Sequence, residues 1–291
     1  MTVQAPTKPT KKTYMWAKIL ALILFVILVL WALAELFPIY YLFLNSVKSN
    51  AEIMNAPYAW PEKFLFSNYT EAWAGGDLGI PIGRYFFNSL FVTTGTTIIL
   101  MFTGSLAGYS LARYNFPGAG LARQSLVWAL AIPVHAALIP VFLFLGELGL
   151  RNNYFGLMGV YAAFWMPFTV IVMKAYFESF PHELEDAARI DGCSEFGAFM
   201  RVVLPISKGA LASVVILNVV GIWSELLFAY VLMNKSQMRT LPVGILGFRG
   251  QYQTDWSLIF AGLAIATIPT LVLYFLFQRQ ITKGMTMGAI K

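Results

Sequence analysis

Five of the 14 acids gather in one stretch, "ELEDAARIDGCSEFGAFMRVVLP", from Glu183 to Pro205. Pro181 stands just before it and favours a helix start there. Glu183, Glu185 and Asp186 then fall in the first turn, where negative charge complements the helix dipole. Leu184, Ala187, Ala188 and Ile190 supply a small apolar face at helical spacing, and the two alanines leave it nearly flat. Gly192 allows a sharp turn. Phe196, Phe199 and Met200 give a second apolar cluster, and Leu204–Pro205 ends the segment. The pattern predicts a short helix, a turn and a second helix that present a docking face. The plainer alternative is a solvated connecting loop.

Other chemistries lack their residues. There is no G-x-x-x-x-G-K-[ST] phosphate loop, so the chain should not bind or hydrolyse ATP through that device. There is no H-E-x-x-H and no G-x-S-x-G. The single Cys193 can form no intrachain disulfide and no metal site with two scattered histidines. His182 opens the charged stretch. His135 lies inside an apolar run, as a relay or ligand group or as an ordinary hydrogen-bonded interior histidine. Net charge is +6, but no basic patch with interleaved aromatics supports a nucleic-acid partner.

The elements around the stretch are apolar. Hydrophobic residues make up 58% of the 291 and charged residues only 12%, about half the charged share of a soluble domain. Several runs reach the roughly 20 residues a helix needs to cross a bilayer. The expected fold is an all-α integral membrane protein with six spans. They run over about 16–44, 86–111, 121–145, 154–177, 206–233 and 258–277, and the charged stretch joins the fourth to the fifth. A basic tail over 1–15 leads into the first spanning helix, 16–47, and a Pro/Gly-rich extracytoplasmic loop fills 48–84. A core of five spans takes 85–280, with the coupling segment at 181–205, and 281–291 is a second tail. Six spans put both termini on one side. All but seven of the 20 lysines and arginines (Lys48, Lys63, Arg84, Arg151, Lys235, Arg239 and Arg249) lie there, which makes that side, and the stretch, cytoplasmic. Pro133, Pro140, Pro167 and Pro269 fall in or at the ends of spans, where proline kinks a helix. Gly95, Gly104 and Gly108 suit close helix packing.

The charged stretch resembles the cytoplasmic signature of a known family, the permease subunits of bacterial ATP-binding-cassette importers. That signature is E-A-A-x3-G-x9-I-x-L-P. The matching residues here are Asp186, Ala187, Ala188, Gly192, Val202, Leu204 and Pro205, with Glu185 beside Asp186. Asp186 stands where the family usually has Glu, and Val202 where it has Ile. "PHELEDAARIDGCSEF", "GIWSELLFAY", "TLPVGILGF", "TDWSLIFAG" and "QRQITKGMTMGAIK" are similar to the carbohydrate-uptake branch, of the maltose-permease (MalG) type. Trp223-Ser224-Glu225 departs from that branch, which often has Trp-Asn-Asp. The likeness runs from about Phe86 to the C-terminus.

The resemblance implies a type I importer permease fold in which Glu185, Asp186, Ala187, Ala188, Gly192, Leu204 and Pro205 couple to an ATPase. It implies a second homologous permease subunit, a dimer of ATP-binding subunits that hold the ATP and Mg, and an extracytoplasmic solute-binding protein. This chain would bind no cofactor. It implies a bacterial cell membrane and a sugar or oligosaccharide cargo. The C-terminal Gly284 to Lys291 would also reach the ATPases. Asn218, Ile222, Trp223 and Glu225 form a candidate substrate path, since 218, 222 and 225 share one helical face. An aromatic beside polar groups suits a sugar ring; the alternative is a polar seam against the other permease. Competing readings are an importer of a non-sugar solute, a secondary transporter and a membrane scaffold. A secondary transporter usually shows internal repeats and paired intramembrane charges, which are not evident here.

Overall fold

The first apolar run carries one acid, Glu35, between Trp16 and Leu44, so lipid rather than protein is its natural surrounding. In the computed structural model it forms α1 (Lys11–Asn45), and every residue from Met15 to Pro38 is exposed. The structure describes residues 11–76, 79–250 and 254–289, and the side chains of 15–76, 79–250 and 254–278. Most of the expected N-terminal tail therefore lies outside the described residues, as do the side chains of the C-terminal segment from Gly284 to Lys291.

Two short helices, α2 (Asn50–Asn55) and α3 (Ser67–Ala74), occupy the following loop. Ser49 and Glu52 start α2 with a reciprocal capping box. Next, α4 (Ile82–Ile99) passes through a π turn at Leu100–Gly104 into α5 (Ser105–Arg113). Together they make one 32-residue helical span, Ile82–Arg113. Its first end is bound to a loop far along the chain. Arg84 Nε donates to the Gln237 carbonyl at 3.1 Å, and Asn88 Nδ2 to the Gln237 and Arg239 carbonyls at 3.0 and 2.8 Å.

The third apolar run is not one straight helix. It forms α6 (Ala119–Ala131), a tight turn, and α7 (Leu138–Glu147), bent by 93°. Pro133 has no N–H to give and pushes Ile132 into an extended conformation, φ −77° and ψ 124°. Next, α8 (Tyr154–Glu178) starts on an Asn153 cap and runs on through Pro167.

The charged stretch forms α9 (Glu183–Ile190), α10 (Glu195–Ala198), a π turn at Phe199–Val203 and α11 (Leu204–Ile206). The chain then turns by 79° into α12 (Lys208–Trp223). The expected fifth span, 206–233, is cut short here: α12 stops at Trp223, and α13 (Leu227–Leu232) is a separate helix. Last come α14 (Leu241–Ile245) and α15 (Trp256–Ala289).

Among the described residues, four helices are long and apolar enough to cross a membrane, and the two bent pairs would add one span each. No strand is assigned among the described residues beyond an isolated bridge between Arg249 and Thr254. The α8 helix is central. Gly95, Gly104 and Gly108 all face it, and a Cβ on Gly108 would lie 3.0 Å from the Lys174 backbone nitrogen. Missing side chains thus let two backbones meet.

Candidate coupling element and translocation path

The turn after α9 shows why the stretch needs Gly192. Its φ is +83°, in the left-handed region that favours glycine. Cys193 N donates to the Ala188 carbonyl at 2.9 Å and Gly192 N to the Arg189 carbonyl at 3.0 Å. This double closure is the Schellman ending of a helix. Ser194 then caps α10, accepting from Gly197 N at 3.1 Å.

The element is fixed to its own chain by a buried acid. Glu185 is 1% exposed. Arg113 Nε, at the end of α5, donates to Glu185 Oε1 at 2.7 Å, and Tyr109 donates to Oε2 at 3.2 Å. Arg113 Nη2 also donates to the Phe180 carbonyl at 3.2 Å. Around this contact Tyr109, Phe177 and Phe199 pack ring to ring, with Tyr109 and Phe199 centroids 4.9 Å apart. An ion pair this buried is retained only when further hydrogen bonds satisfy both charges, and here they do.

Outside, Arg189 donates to Asp186 at 2.6 Å and to both Glu195 oxygens at 2.7 and 3.0 Å. The Glu195 contact bridges α9 and α10 across the Gly192 turn. Tyr114 donates to Glu195 at 2.6 Å. Burial first, and that bond second, hold the Tyr114 phenol above its ordinary pKa. Exposed charge pairs such as these are individually weak, but three hydrogen bonds from Arg189 and Tyr114 converge on Glu195 and fix the angle of the turn.

The seven residues named for coupling separate by side. Glu185 and Ala188 face inward and are buried. Asp186, Ala187, Gly192 and Pro205 are exposed, and Leu204 is half-buried. The expected apolar faces split as well. Ala188 and Phe199 point into the core, whereas Leu184, Ile190, Phe196 and Met200 stay exposed, Ile190 at 86%. Arg113 and Tyr109 were not singled out from sequence. The only signal was one arginine ending an apolar run, which reads equally well as a topology marker.

The four residues of the expected path do not form one lining. Glu225 is past the end of α12, so the shared face with 218 and 222 fails there. Its Oε1 accepts from Phe228 N at 2.8 Å and its Oε2 from Ala229 N at 3.1 Å, capping α13. Tyr161 donates to Oε2 as well. Trp223 is 7% exposed, with its indole N–H on the Ala266 carbonyl at 3.0 Å, and Ile222 is 3% exposed. Asn218 alone borders a cavity, of about 370 Å³, with Val134, Phe164, Trp165, Phe168 and Leu217. His135 is exposed and stacks on Phe228 at 6.3 Å between centroids, rather than sitting in the interior. Among the described residues, no group of three or more His, Cys, Asp or Glu side chains is placed to hold a metal ion.

The architecture is a helical bundle with several helices apolar enough to cross a membrane and one charged helical insert, that of a multi-pass membrane protein. The chain belongs to the family of binding-protein-dependent transport system inner membrane components, whose model matches residues 101–287. It is 33% identical over 289 residues to a probable ABC transporter permease protein, YurM, of Bacillus subtilis, covering 99% of this chain and 93% of that one. It is 33% identical over 267 residues to the diacetylchitobiose uptake system permease protein NgcG of Streptomyces coelicolor, covering 91% and 87%. It is 30% identical over 263 residues to the arabinooligosaccharides transport system permease protein AraQ of Bacillus subtilis, covering 89% and 92%. The fold matches a chain in the crystal structure of a bacterial ABC transporter involved in the import of the acidic polysaccharide alginate. The TM-score is 0.78 at 23% identity, over 94% of this chain and 99% of that one. The chain is thus a multi-pass membrane permease component.

Proposed function

We propose that this chain is the membrane-spanning subunit of an ATP-driven sugar or oligosaccharide importer. It forms half of the translocation pathway with a second homologous permease. Each bent helix pair counts as one span, which gives six spans and both termini in the cytoplasm. The element from Pro181 to Pro205 seats in a groove of a separate ATPase, whose dimer holds the ATP and Mg. An extracytoplasmic binding protein delivers the sugar. The relatives named for diacetylchitobiose and arabinooligosaccharides support the sugar cargo.

One observation carries the coupling role. The outward side of α9 and α10 presents Leu184, Ala187, Ile190 and Phe196 to solvent, while Glu185 and Arg113 anchor the inward side. A folded element that exposes apolar side chains and is firmly tied behind is built to be pushed upon. The experiment is a disulfide cross-link. Cys193 is half-buried, so Ile190→Cys in a Cys193→Ser background is the better probe, against single cysteines along the ATPase groove. A cross-link that changes with ATP is expected. No cross-link at any groove position, with both proteins folded and present, returns the secondary-transporter reading to first place.

A further inference from the structure

We infer that this chain itself holds a neutral sugar ring, in the cavity bordered by Trp165 and Asn218; the inference rests on the sugar-importer reading above. The first observation is an unmatched acceptor. Asn218 is fully buried. Its amide nitrogen donates to Thr169 Oγ1 at 2.9 Å, and Thr169 Oγ1 donates in turn to the Trp165 carbonyl at 2.9 Å. Because the threonine proton is already committed, its oxygen can only accept. That fixes which end of the amide faces it. The other end, Oδ1, has no partner. A buried acceptor left unmade is costly, and in apolar surroundings a donor brought from outside removes that cost.

The second observation is the wall. Phe164, Trp165 and Phe168 line the same cavity. A sugar ring has apolar faces for such rings and hydroxyl edges for one acceptor. The volume, about 370 Å³, falls at the small end of ligand pockets, about 300–1,000 Å³. Trp165 is held in place from α12: a Cβ on Gly221 would lie 2.7 Å from its Nε1. The third observation sets the class. No lysine, arginine, aspartate or glutamate lines the cavity, so a carboxylated or sulfated sugar would leave its charge unpaired there. In the conformation seen, Oδ1 is closed off from solvent. Movement of α8 against α12 is the step that brings a hydroxyl to it.

The test uses the assembled transporter in proteoliposomes: this chain, its paired permease, the ATPase and the binding protein. Wild-type uptake is first measured with radiolabelled cellobiose, maltose, diacetylchitobiose, arabinobiose and the acidic digalacturonate. Uptake of none of them defeats the sugar-importer reading itself. Uptake of digalacturonate alone leaves that reading standing and overturns the neutral-sugar site. With a neutral disaccharide accepted, its diazirine-tagged form is photolysed in the vanadate-trapped complex and the labelled peptides are mapped by mass spectrometry. Label on the peptides that hold Trp165 and Asn218 is expected. It should fall about tenfold with Trp165→Ala and about fivefold with Asn218→Leu, the loss of a stacking contact and of one hydrogen bond. Trp165→Phe keeps a ring and should keep most of the label. Thr169→Val removes only the internal bond and should keep it too. Label confined to the paired permease, or to a separate cavity lined by Tyr230, Arg239 and Arg249, overturns the site. So does equal loss in Thr169→Val and Asn218→Leu, which would mark a packing effect.

Discussion

The Arg113 guanidinium meets the Glu185 carboxylate at 2.7 Å, and both side chains are only 2% exposed. The pair joins the end of one membrane helix to the first turn of the charged insert. Arg113 on the Phe180 carbonyl and Tyr114 on Glu195 add to the tie, so the position of the insert depends on these contacts and on the aromatic packing around them.

Arg113→Ala leaves Glu185 buried with its positive partner gone. Such a change costs about 3–5 kcal/mol. We expect a sharp fall in thermal stability in detergent and loss of ATP-driven uptake. Replacing both residues, as Arg113→Met with Glu185→Leu, should restore much of the melting temperature. A double variant no more stable than the single one contradicts the assignment.

Gly192→Asp should leave the chain in the membrane while ATP hydrolysis no longer drives transport. A left-handed residue with a Cβ costs about 1–2 kcal/mol. Nothing lies within 4 Å of a Cβ built there, so the strain is local and the fold survives. The comparison is uptake per ATP hydrolysed at equal expression. Normal coupling in the variant sinks the idea.

Glu225 separates a cap from a substrate ligand. As the cap of α13, Glu225→Ala should lower stability by about 1–3 kcal/mol, the cost of donors left unmatched. Glu225→Gln keeps one acceptor oxygen and should cost less. Neither should shift photolabelling by a neutral sugar. Lost label at unchanged stability would return Glu225 to the path.

Gly244 is the tightest of the helix contacts named here. A Cβ there would lie 2.0 Å from Cδ2 of Tyr85, a ring that is 3% exposed. Gly244→Ala should destabilise by about 1–3 kcal/mol through overpacking. Adding Tyr85→Val should recover part of that loss, a coupling that a double-mutant cycle measures. Strict additivity of the two changes contradicts the contact.

The sequence made α1, α8 and α15 legible because long apolar runs have one outcome in lipid. It made the α9 turn legible because acids, alanines and Gly192 each favour the same local geometry. The break at Pro133 was visible only as a proline, since prolines also sit quietly inside α8 and α15. The path was misread for a related reason. Helical periodicity was carried past Trp223, where α12 stops, so Glu225 was placed on a face that no longer exists. Arg113 goes unmarked because its partner lies 72 positions away, and Asn218 stands out as a polar residue in an apolar run while its aromatic neighbours on α8 do not. Contacts between helices leave no period in either helix.

The span from Ile82 to Arg113 is gripped at both ends. Its 32 residues make a rod about 48 Å long at 1.5 Å per residue. Arg113 holds the insert at one tip, and Arg84 and Asn88 hold the Gln237 backbone at the other. The π turn at Leu100–Gly104 lies near its middle. Under the coupling role proposed above, a push on the insert would travel along this strut and tilt its far tip.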